Sequence, residues 1–389
     1  MIQRKSLGLV LALAMALALV LTACGSKNDG GNAGGSASAS PSAPASESAP
    51  ASASASAPAS ASAASSDVEA LKGKNIALLM RLNTGTFSAQ YVDGVKKQVE
   101  KFGGKLTVIS ADDKLDVMAA NLDAAVNQHY DGILLDHGDN NSLSTGVQKA
   151  LAAGIPIVAF DSAITADGVT NIAQNDQKMA EQTLEALASD AGGKGNIVKI
   201  WVAGFPPMES RQIAYSAFQK KYPDIKEIAH FGTADGPQLD AQTKMEAILK
   251  QYPEKGSITA VWAAWDEFAK GAANAIKQAG RDEIKVYGID LSDEDLAMIQ
   301  DPSSPWVASA AVDPASIGQV QVRYLYQKIH GDTTPPTVEL DSVYVSRDSL
   351  PKDKQVTTAD LSQYVEGWGA SDEGSTEYLT ALEQAVAGQ

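Results

Sequence analysis

The stretch DGILLDHGDNNSLSTGVQKALAAGIPIVAFD, residues 131–161, decides the fold class. Apolar residues run without interruption over 133–135 and again over 157–160, and the segment between them has the pattern of a helix that ends at Gly154. Strands that are apolar on every residue are buried on both faces, which is typical of a parallel sheet covered by helices. The stretch therefore predicts a strand–helix–strand unit, with Asp161 directly after its second strand.

The same alternation continues in both directions along the chain. Upstream, the pattern predicts strands over 75–80 and 105–110 and helices over 88–102 and 115–129. A second series predicts strands over 195–202, 226–231, 260–264 and 285–289, and helices over 210–221, 238–251, 267–279 and 293–301. Two such series predict an α/β protein with two doubly wound, parallel-sheet lobes. Because these sheets bind ligands beyond the carboxyl ends of their strands, we expect a ligand cleft between the lobes.

The N-terminus has the pattern of an export signal. A basic pair at residues 4–5 precedes an apolar run over 7–21, and LTAC follows at 21–24. This arrangement resembles the bacterial lipobox, which implies cleavage after residue 23 and acylation of Cys24. We expect residues 1–23 to be a lipoprotein signal peptide and the mature protein to be lipid-anchored on the outer face of the cell membrane. The alternative is an ordinary secretory peptide with an accidental cysteine.

A low-complexity segment separates this signal from the folded part. Residues 25–66 are nearly all Gly, Ala, Ser and Pro, so they lack the large apolar side chains that would offset the entropy of ordering. We expect residues 24–71 to form a disordered linker. A coil of roughly 40 residues spans on the order of 35 Å, which would let an anchored domain stand away from the bilayer. Cys24 is the only cysteine, so the domain has no internal disulfide.

Charge and composition exclude several classes of function. The formal net charge is −16, and removal of the basic pair with the signal peptide makes the mature chain more acidic still. A chain this acidic is a poor partner for nucleic acid. The four histidines lack the spacing of metal ligands, and we interpret each as a surface or capping residue. With no phosphate loop, dinucleotide motif or nucleophile–base pair, the sequence predicts a non-enzymatic protein without metal or cofactor.

Short motifs follow one another in a fixed order over the folded part. They are ALLM at 77–80, TF at 86–87, DG at 93–94, DGILL at 131–135, AGIPIV at 153–158, AV at 260–261, VYGID at 286–290 and IG at 317–318. Their order resembles the type I periplasmic binding proteins, in particular those for ribose and galactose, over residues 74–347. The resemblance implies a monomer that captures a small sugar or polyol by lobe closure and delivers it to the permease subunits of an ABC transporter in the membrane. The alternative is a sensor that presents its ligand to a histidine kinase or chemoreceptor.

The resemblance also implies the domain boundaries. In this family the chain crosses between the lobes three times, here near 175–176, 310–312 and 339–341. The implied lobes are an N-terminal lobe of residues 72–175 plus 311–340 and a C-terminal lobe of residues 176–310 plus 341–349. Residues 350–389 form a C-terminal extension, which we expect to pack as a strap along the C-terminal lobe. A partner-binding tail is the alternative.

A sugar has apolar C–H faces and a rim of hydroxyls, so its site needs aromatic rings and ionised or amide groups. In the N-terminal lobe, the resemblance places Phe87 at the stacking aromatic and Asp161 at the hydroxyl-binding aspartate, with Arg81 and Asn83 in the turn before Phe87. Alternatively, Phe87 packs into the core at the start of its helix, and Asp161 caps the turn that follows it. Ser162 stands where ribose binders have arginine, which argues against ribose.

In the C-terminal lobe, Arg211 lies in the region of the family's binding arginine. Trp265 and Asp266 stand at the family's Asn-Asp pair, and we interpret Trp265 as a stacking wall, with a core role as the alternative. Asp290 follows a predicted strand at a second hydroxyl-binding position, and Asp313 lies beside the place of the hinge glutamine. These carboxylates and aromatics predict a polyol or pyranose-like ligand.

Overall fold

The structure, a computed structural model, describes residues 68–369 and 371–388. The predicted signal peptide, Cys24 and most of the predicted linker lie outside these residues. Residues 68–71, which we assigned to the linker, are helical, and Val68 and Leu71 are buried against the N-terminal lobe. The folded part therefore begins earlier than the composition indicates, because these two apolar side chains hold it to the core.

Strands and helices alternate along the described chain. In chain order they are β1 (Asn75–Met80), α1 (Gly85–Lys101), β2 (Lys105–Ser110), α2 (Leu115–Asn127), β3 (Gly132–Asp136), α3 (Asn140–Ala152), β4 (Ile157–Phe160), β5 (Thr170–Gln174), α4 (Asp176–Asp190), β6 (Gly195–Ile200), α5 (Pro206–Lys221), β7 (Ile225–Phe231), α6 (Pro237–Gln251), β8 (Ala260–Ala263), α7 (Asp266–Gln278), β9 (Lys285–Ile289), α8 (Asp293–Gln300), β10 (Trp306–Ala311), α9 (Pro314–His330), β11 (Thr337–Leu340), β12 (Val343–Ser346) and α10 (Glu377–Ala387).

The strands form two six-stranded sheets, one in each lobe. The N-terminal sheet has the order β11-β5-β4-β3-β1-β2 with every pair parallel. The C-terminal sheet has the order β12-β10-β9-β8-β6-β7, and only the edge strand β12 is antiparallel to its neighbour. The central strands are buried along their length, as strands covered by helices on both faces must be. The predicted pair of doubly wound α/β lobes is confirmed.

The chain passes between the lobes in three places. Strand β5 lies in the N-terminal sheet while α4 packs on the C-terminal core. Strand β10 lies in the C-terminal sheet while α9 packs on α1 of the N-terminal lobe. Strands β11 and β12 then lie in different sheets. The three short segments around residues 175, 312 and 341 therefore connect the lobes.

The C-terminal extension packs on both lobes. Its first part contributes apolar side chains to the C-terminal core: Leu350, Val356, Leu361, Val365 and Trp368. Helix α10 instead buries Leu379 and Leu382 in the N-terminal core. The expected strap thus follows the C-terminal lobe only as far as residue 369, and the amphipathic α10 lies against the other lobe. No helix in the described ranges has the length and apolar character needed to cross a membrane.

Candidate functional site

A cavity that is partly open to solvent lies between the lobes at the carboxyl ends of the strands. Residues that follow β1, β3 and β4 line it from the N-terminal lobe, and residues that follow β6, β8 and β9 line it from the C-terminal lobe. Five of the predicted site residues lie on its wall: Phe87, Asp161, Arg211, Trp265 and Asp290. The topology brings these residues together because parallel strands end at the same edge of each sheet.

Asp161 and Asp290 occupy equivalent positions in the two lobes. Each directly follows a buried strand, and each has a left-handed backbone, with φ of 47° for Asp161 and 71° for Asp290. Their N–H groups donate to the carbonyl oxygens of Ile172 (3.0 Å) and Ala310 (2.9 Å) in the neighbouring strands. Non-glycine residues with positive φ are uncommon and cluster at binding sites, where the surrounding structure holds them. Here that backbone accompanies two carboxylates on the cavity wall.

Arg211 links the buried carboxylates on the C-terminal side. Its Nε donates to Asp176 (2.8 Å), its two terminal nitrogens donate to Asp290 (3.1 and 3.2 Å), and Nη1 also donates to the carbonyl oxygen of Ala264 (2.7 Å). Burial lowers the pKa of Arg211, but Asp290 and Asp176 outweigh it and hold the pKa above its ordinary value. Burial also raises the pKa of Asp176 to about 6, against the opposing effect of Arg211. Arg211 is therefore a fixed positive charge beneath the cavity.

His137 also lines the cavity, which the sequence analysis missed. Its Nδ1 lies 2.8 Å from Oδ1 of Asp136, and its Nε2 lies 3.8 Å from Oδ2 of Asp161. Burial lowers the pKa of His137, but Asp136 and Asp161 outweigh it and raise the pKa to about 9. His137 is thus charged at neutral pH and is no surface residue. Its place directly after β3, with φ of 55°, was the available signal.

Two buried oxygen atoms on the cavity wall accept no hydrogen bond from the described residues. They are Oδ1 of Asp161 and Oε1 of Gln174, the last residue of β5. Nε2 of Gln174 donates to Asp290 at 3.4 Å. Burial and Asp176 raise the pKa of Asp161, against His137 and Arg211. A buried acceptor without a donor is unfavourable, and a ligand with hydrogen-bond donors would satisfy both oxygens.

The rest of the wall is largely apolar. Trp265 precedes α7 and lies edge-on to Phe268 at 5.3 Å, while Phe87 is half-buried at the start of α1. Further apolar side chains come from both lobes: Met80, Leu82, Tyr91, Phe160, Val202, Phe205, Pro207 and Met208. Sequence reasoning named none of these eight as site residues, because an apolar side chain at a strand end, in a helix or in a loop has no sequence pattern that separates a cavity wall from the core.

Two predicted aspartates do not line this cavity. Asp266 is the first residue of α7, fully buried, with Oδ2 3.4 Å from Nζ of Lys270 inside the C-terminal lobe. Asp313 caps α9, where Oδ1 accepts from the N–H of Ala315 at 3.1 Å. It lies at a separate cavity beside the hinge segments. Both follow a strand in sequence, but the helix that each begins turns its side chain away from the cleft.

Arg81 and Asn83 also lie off the cavity wall. Arg81 pairs with Asp113 (2.7 Å), donates to the carbonyl oxygen of Gly204 in the other lobe (3.1 Å), and stacks on the ring of Phe205 at 3.8 Å. Asn83 is exposed. Arg81 therefore bridges the lobes at the mouth of the cleft.

Further contacts join the lobes around this mouth. Oγ1 of Thr86 donates to Glu294 (3.0 Å), and Oε1 of Gln90 accepts from the N–H of Asp293 (3.0 Å). Nε2 of Gln90 donates to Thr358 of the C-terminal extension (2.7 Å). The lobes are therefore in contact around the mouth of the cleft. Within the described ranges, no group of His, Cys, Asp and Glu has an arrangement that could hold a metal ion.

Comparison with known proteins agrees with this architecture. A family model described as a periplasmic binding protein domain matches residues 76–333. The ribose import binding protein of Bacillus subtilis (strain 168) is 27% identical over 263 residues, which cover 68% of this chain and 84% of that protein. The xylitol-binding protein of Mycolicibacterium smegmatis is 31% identical over 193 residues, covering 49% and 54%.

Solved structures agree as well. The sugar ABC transporter protein from Yersinia enterocolitica superposes with a TM-score of 0.79 at 34% identity, covering 82% of this chain and 98% of that one. The 5-methylthioribose transporter solute-binding protein from Thermotoga lettingae gives a TM-score of 0.77 at 30% identity, covering 81% and 98%. The chain therefore belongs to the type I periplasmic binding proteins, which bind solutes outside the cytoplasm and are not enzymes.

Proposed function

We propose that this protein captures a small sugar or polyol between its lobes and delivers it to the permease of an ABC transporter. The observation that carries the proposal is the pair of unpartnered acceptors, on Asp161 and Gln174, in a cavity walled by aromatic rings. Sugar and polyol hydroxyls supply donors, and their C–H groups pack on rings. The relatives described above include binding proteins for ribose and xylitol and one solved with 5-methylthioribose.

Each site residue has a role in this proposal. Asp161 and Gln174 accept hydrogen bonds from ligand hydroxyls, Phe87 and Trp265 pack on the carbon skeleton, and Arg211 holds Asp290 in position between the lobes. Because these groups come from both lobes, the ligand makes its full set of contacts only when the lobes are closed. The ligand then shifts the open–closed equilibrium by its differential affinity, and a ~100-fold preference corresponds to about 2.7 kcal/mol.

The first test is a thermal-shift screen of the chain from residue 25 onward against ribose, xylitol, allitol and 5-methylthioribose. A ligand at 100 times its dissociation constant stabilises the protein by about 2.7 kcal/mol, which raises the melting temperature measurably. Asp161→Asn should abolish the shift. The matched control is Asp112→Asn, since Asp112 also has positive φ (49°) but is exposed and distant from the cavity. If no sugar or polyol moves the melting temperature, the proposal fails.

Delivery and anchoring form the second part of the proposal. Acylated Cys24 would hold the monomer on the outer face of the membrane, where its closed form docks on the permease. Mass spectrometry of the membrane fraction should show a diacylated N-terminal cysteine, and Cys24→Ser should release the protein. Deletion of the gene should abolish uptake of the labelled ligand found in the screen. Unchanged uptake would instead favour a sensor.

A further inference from the structure

The polar groups of the cavity largely satisfy one another. Both carboxylate oxygens of Asp290 accept from Arg211, and Oδ1 also faces Nε2 of Gln174. Arg211 has five N–H donors, and four of them bond to Asp176, Ala264 and Asp290. Oδ1 of Asp136 is hydrogen-bonded to Nδ1 of His137. Among the described residues, these bonds leave only part of the polar wall for a ligand.

Other polar groups on the wall have no hydrogen-bond partner among the described residues. They include the acceptors on Asp161 and Gln174, one N–H of Arg211, Nε2 of His137 and the hydroxyl of Ser88. Asp161 and Arg211 interact electrostatically, and Gln174 contacts the same Asp290 that Arg211 binds. These groups can bind several hydroxyls of a sugar or polyol.

The remaining wall suits groups other than hydroxyls. Phe87 and Trp265 are enough to cover the faces of one sugar ring. The cavity adds Met80 and Leu82 from the N-terminal lobe and Val202, Phe205 and Met208 from the C-terminal lobe, with Phe205 and Met208 themselves buried. A hydroxyl placed against these side chains would lose its water without gaining a partner. An alkyl or thioether group would lose nothing, and a sulfur atom packs well beside aromatic rings.

We propose that the ligand is a sugar or polyol derivative that carries an apolar substituent, alkyl or thioether, beside its hydroxyls. This inference rests on the proposed function and narrows it. Met208 and Val202 then determine specificity, because they offer the substituent an apolar surface with no hydrogen-bonding group. Parent sugars bind more weakly, since a hydroxyl in place of the substituent is buried against side chains that cannot bond to it.

The test is calorimetry with matched probes. D-Ribose is compared with methyl β-D-ribofuranoside and 5-deoxy-5-ethylthio-D-ribose, and xylitol with 1-deoxy-1-ethylthioxylitol. At least one derivative should bind 10-fold or more tightly than its parent. If any unmodified sugar or polyol binds as tightly as the best derivative, the inference is overturned while the proposed function stands. If no probe and no sugar of the thermal-shift screen binds, the proposed function itself fails.

Two substitutions of similar size test whether Met208 causes the preference for the derivative. Met208→Gln should lower the affinity for the derivative at least 10-fold more than it lowers the affinity for the unmodified parent, whereas Met208→Leu should retain the preference. An equal loss for both ligands would show a merely structural role for Met208 and would overturn its assignment. Melting temperatures of the free variants confirm that both are folded.

Discussion

Two of the buried cations in the C-terminal lobe, Arg211 and Lys270, are each surrounded by two or more carboxylates, but their surroundings differ. In the Arg211 cluster (Arg211, Asp176, Asp290), a guanidinium lies beneath the cavity. In the Lys270 cluster (Lys270, Asp266, Glu267, Asp295), an ammonium lies inside the lobe, 2.5–3.5 Å from carboxylate oxygens of the other three residues. Burial and similar charges therefore do not by themselves mark a ligand site.

The difference lies in what adjoins each cluster. The Arg211 cluster borders a cavity with two unpartnered acceptors and three strand-end residues of left-handed backbone, His137, Asp161 and Asp290. The Lys270 cluster also has buried carboxylate oxygens without hydrogen-bond partners, but its carboxylates lie at ion-pair distance from Lys270 and line no part of this cavity. Burial and Asp295 raise the pKa of Asp266, against the effect of Lys270. In the proposed function the first cluster serves the ligand, whereas the second joins α7 to α8.

The largest expected effect comes from Arg211→Met. The substitution leaves Asp176 and Asp290 buried without their cation, so the free energy of unfolding should fall by about 3–5 kcal/mol. Ligand binding should become undetectable, because Asp290 is no longer held at the cavity. Urea denaturation and calorimetry measure the two effects, with Arg211→Lys as the partial replacement. If Arg211→Met still binds the ligand, Arg211 is not part of the binding site.

Lys270→Met tests the other half of the comparison. It also removes a buried cation from its carboxylates, so the free energy of unfolding should again fall by about 3–5 kcal/mol. The affinity of the folded variant should stay within about threefold of the wild type, since no residue of the Lys270 cluster lines the cavity and a threefold change is below about 1 kcal/mol. A loss of affinity as large as that in Arg211→Met would mean that the two clusters act as one.

The pH dependence of stability separates the clusters further. Burial raises the pKa of Asp176 and of Asp295 to about 6, so each cluster should lose stability as the pH rises from about 4 to 6. His137, beside the cavity alone, has its pKa raised to about 9. Its contribution is full below its unfolded value near 6.5 and is lost as the pH rises through about 9.

The corresponding experiment is urea denaturation between pH 6 and pH 10. The wild type should lose up to about 3 kcal/mol over this range through His137. His137→Gln should remove most of this loss of stability. His230→Gln, which changes a largely exposed histidine, should leave the loss unchanged. If His137→Gln loses as much stability as the wild type between pH 6 and pH 10, the charge on His137 does not contribute to stability.

Asp161→Asn and Asp266→Asn form the next pair. Asp161→Asn should lower ligand affinity about 100-fold, because a hydrogen bond to a charged acceptor contributes about 1.5–3 kcal/mol. It should change stability little, since Asn has nearly the same volume and Oδ1 of Asp161 has no hydrogen-bond partner among the described residues. Asp266→Asn should leave affinity unchanged. Calorimetry measures the ligand affinity of both variants. Equal losses of affinity would contradict the assignment of Asp161 as a ligand-binding residue.

The clusters also show how far the sequence could predict this protein. Continuous apolar runs gave most of the inner strands. The sequence analysis missed β5, which has alternating burial, the inner strand β10, and the edge strands β11 and β12. Asp161 and Asp290 were found because they directly follow such runs. Asp266 follows one too, but its helix begins at once and directs it into the lobe. That orientation, like the packing of Phe205 and Met208 across the cleft, depends on tertiary structure.

His137 was missed for a different reason. The histidines were judged by the spacing expected of metal ligands, which is the wrong criterion for a residue that follows a buried strand. The position after β3 is equivalent to the positions of Asp161 after β4 and Asp290 after β9. Polar residues at such positions should be examined together, whatever their type.

The smallest expected effect concerns a hydrogen bond between the N-terminal lobe and Glu294, which lies beside the Lys270 cluster. Oγ1 of Thr86 donates to Glu294 (3.0 Å), which also lies 3.3 Å from Nζ of Lys270. Thr86→Val keeps the shape and removes the donor, and this exposed bond contributes about 0.5–1 kcal/mol. Because the bond joins the two lobes, ligand affinity should fall two- to fivefold.

Calorimetry on Thr86→Val and on Thr84→Val measures this effect. Thr84 is the matched control, since it precedes α1 but its side chain makes no capping hydrogen bond, and its substitution should leave affinity unchanged. A loss confined to Thr86→Val would give the Lys270 cluster a small part in lobe closure, through Glu294. If both variants bind the ligand with equal affinity, the Lys270 cluster stabilises only its own lobe. Of the two clusters, only the Arg211 cluster then contributes to ligand capture.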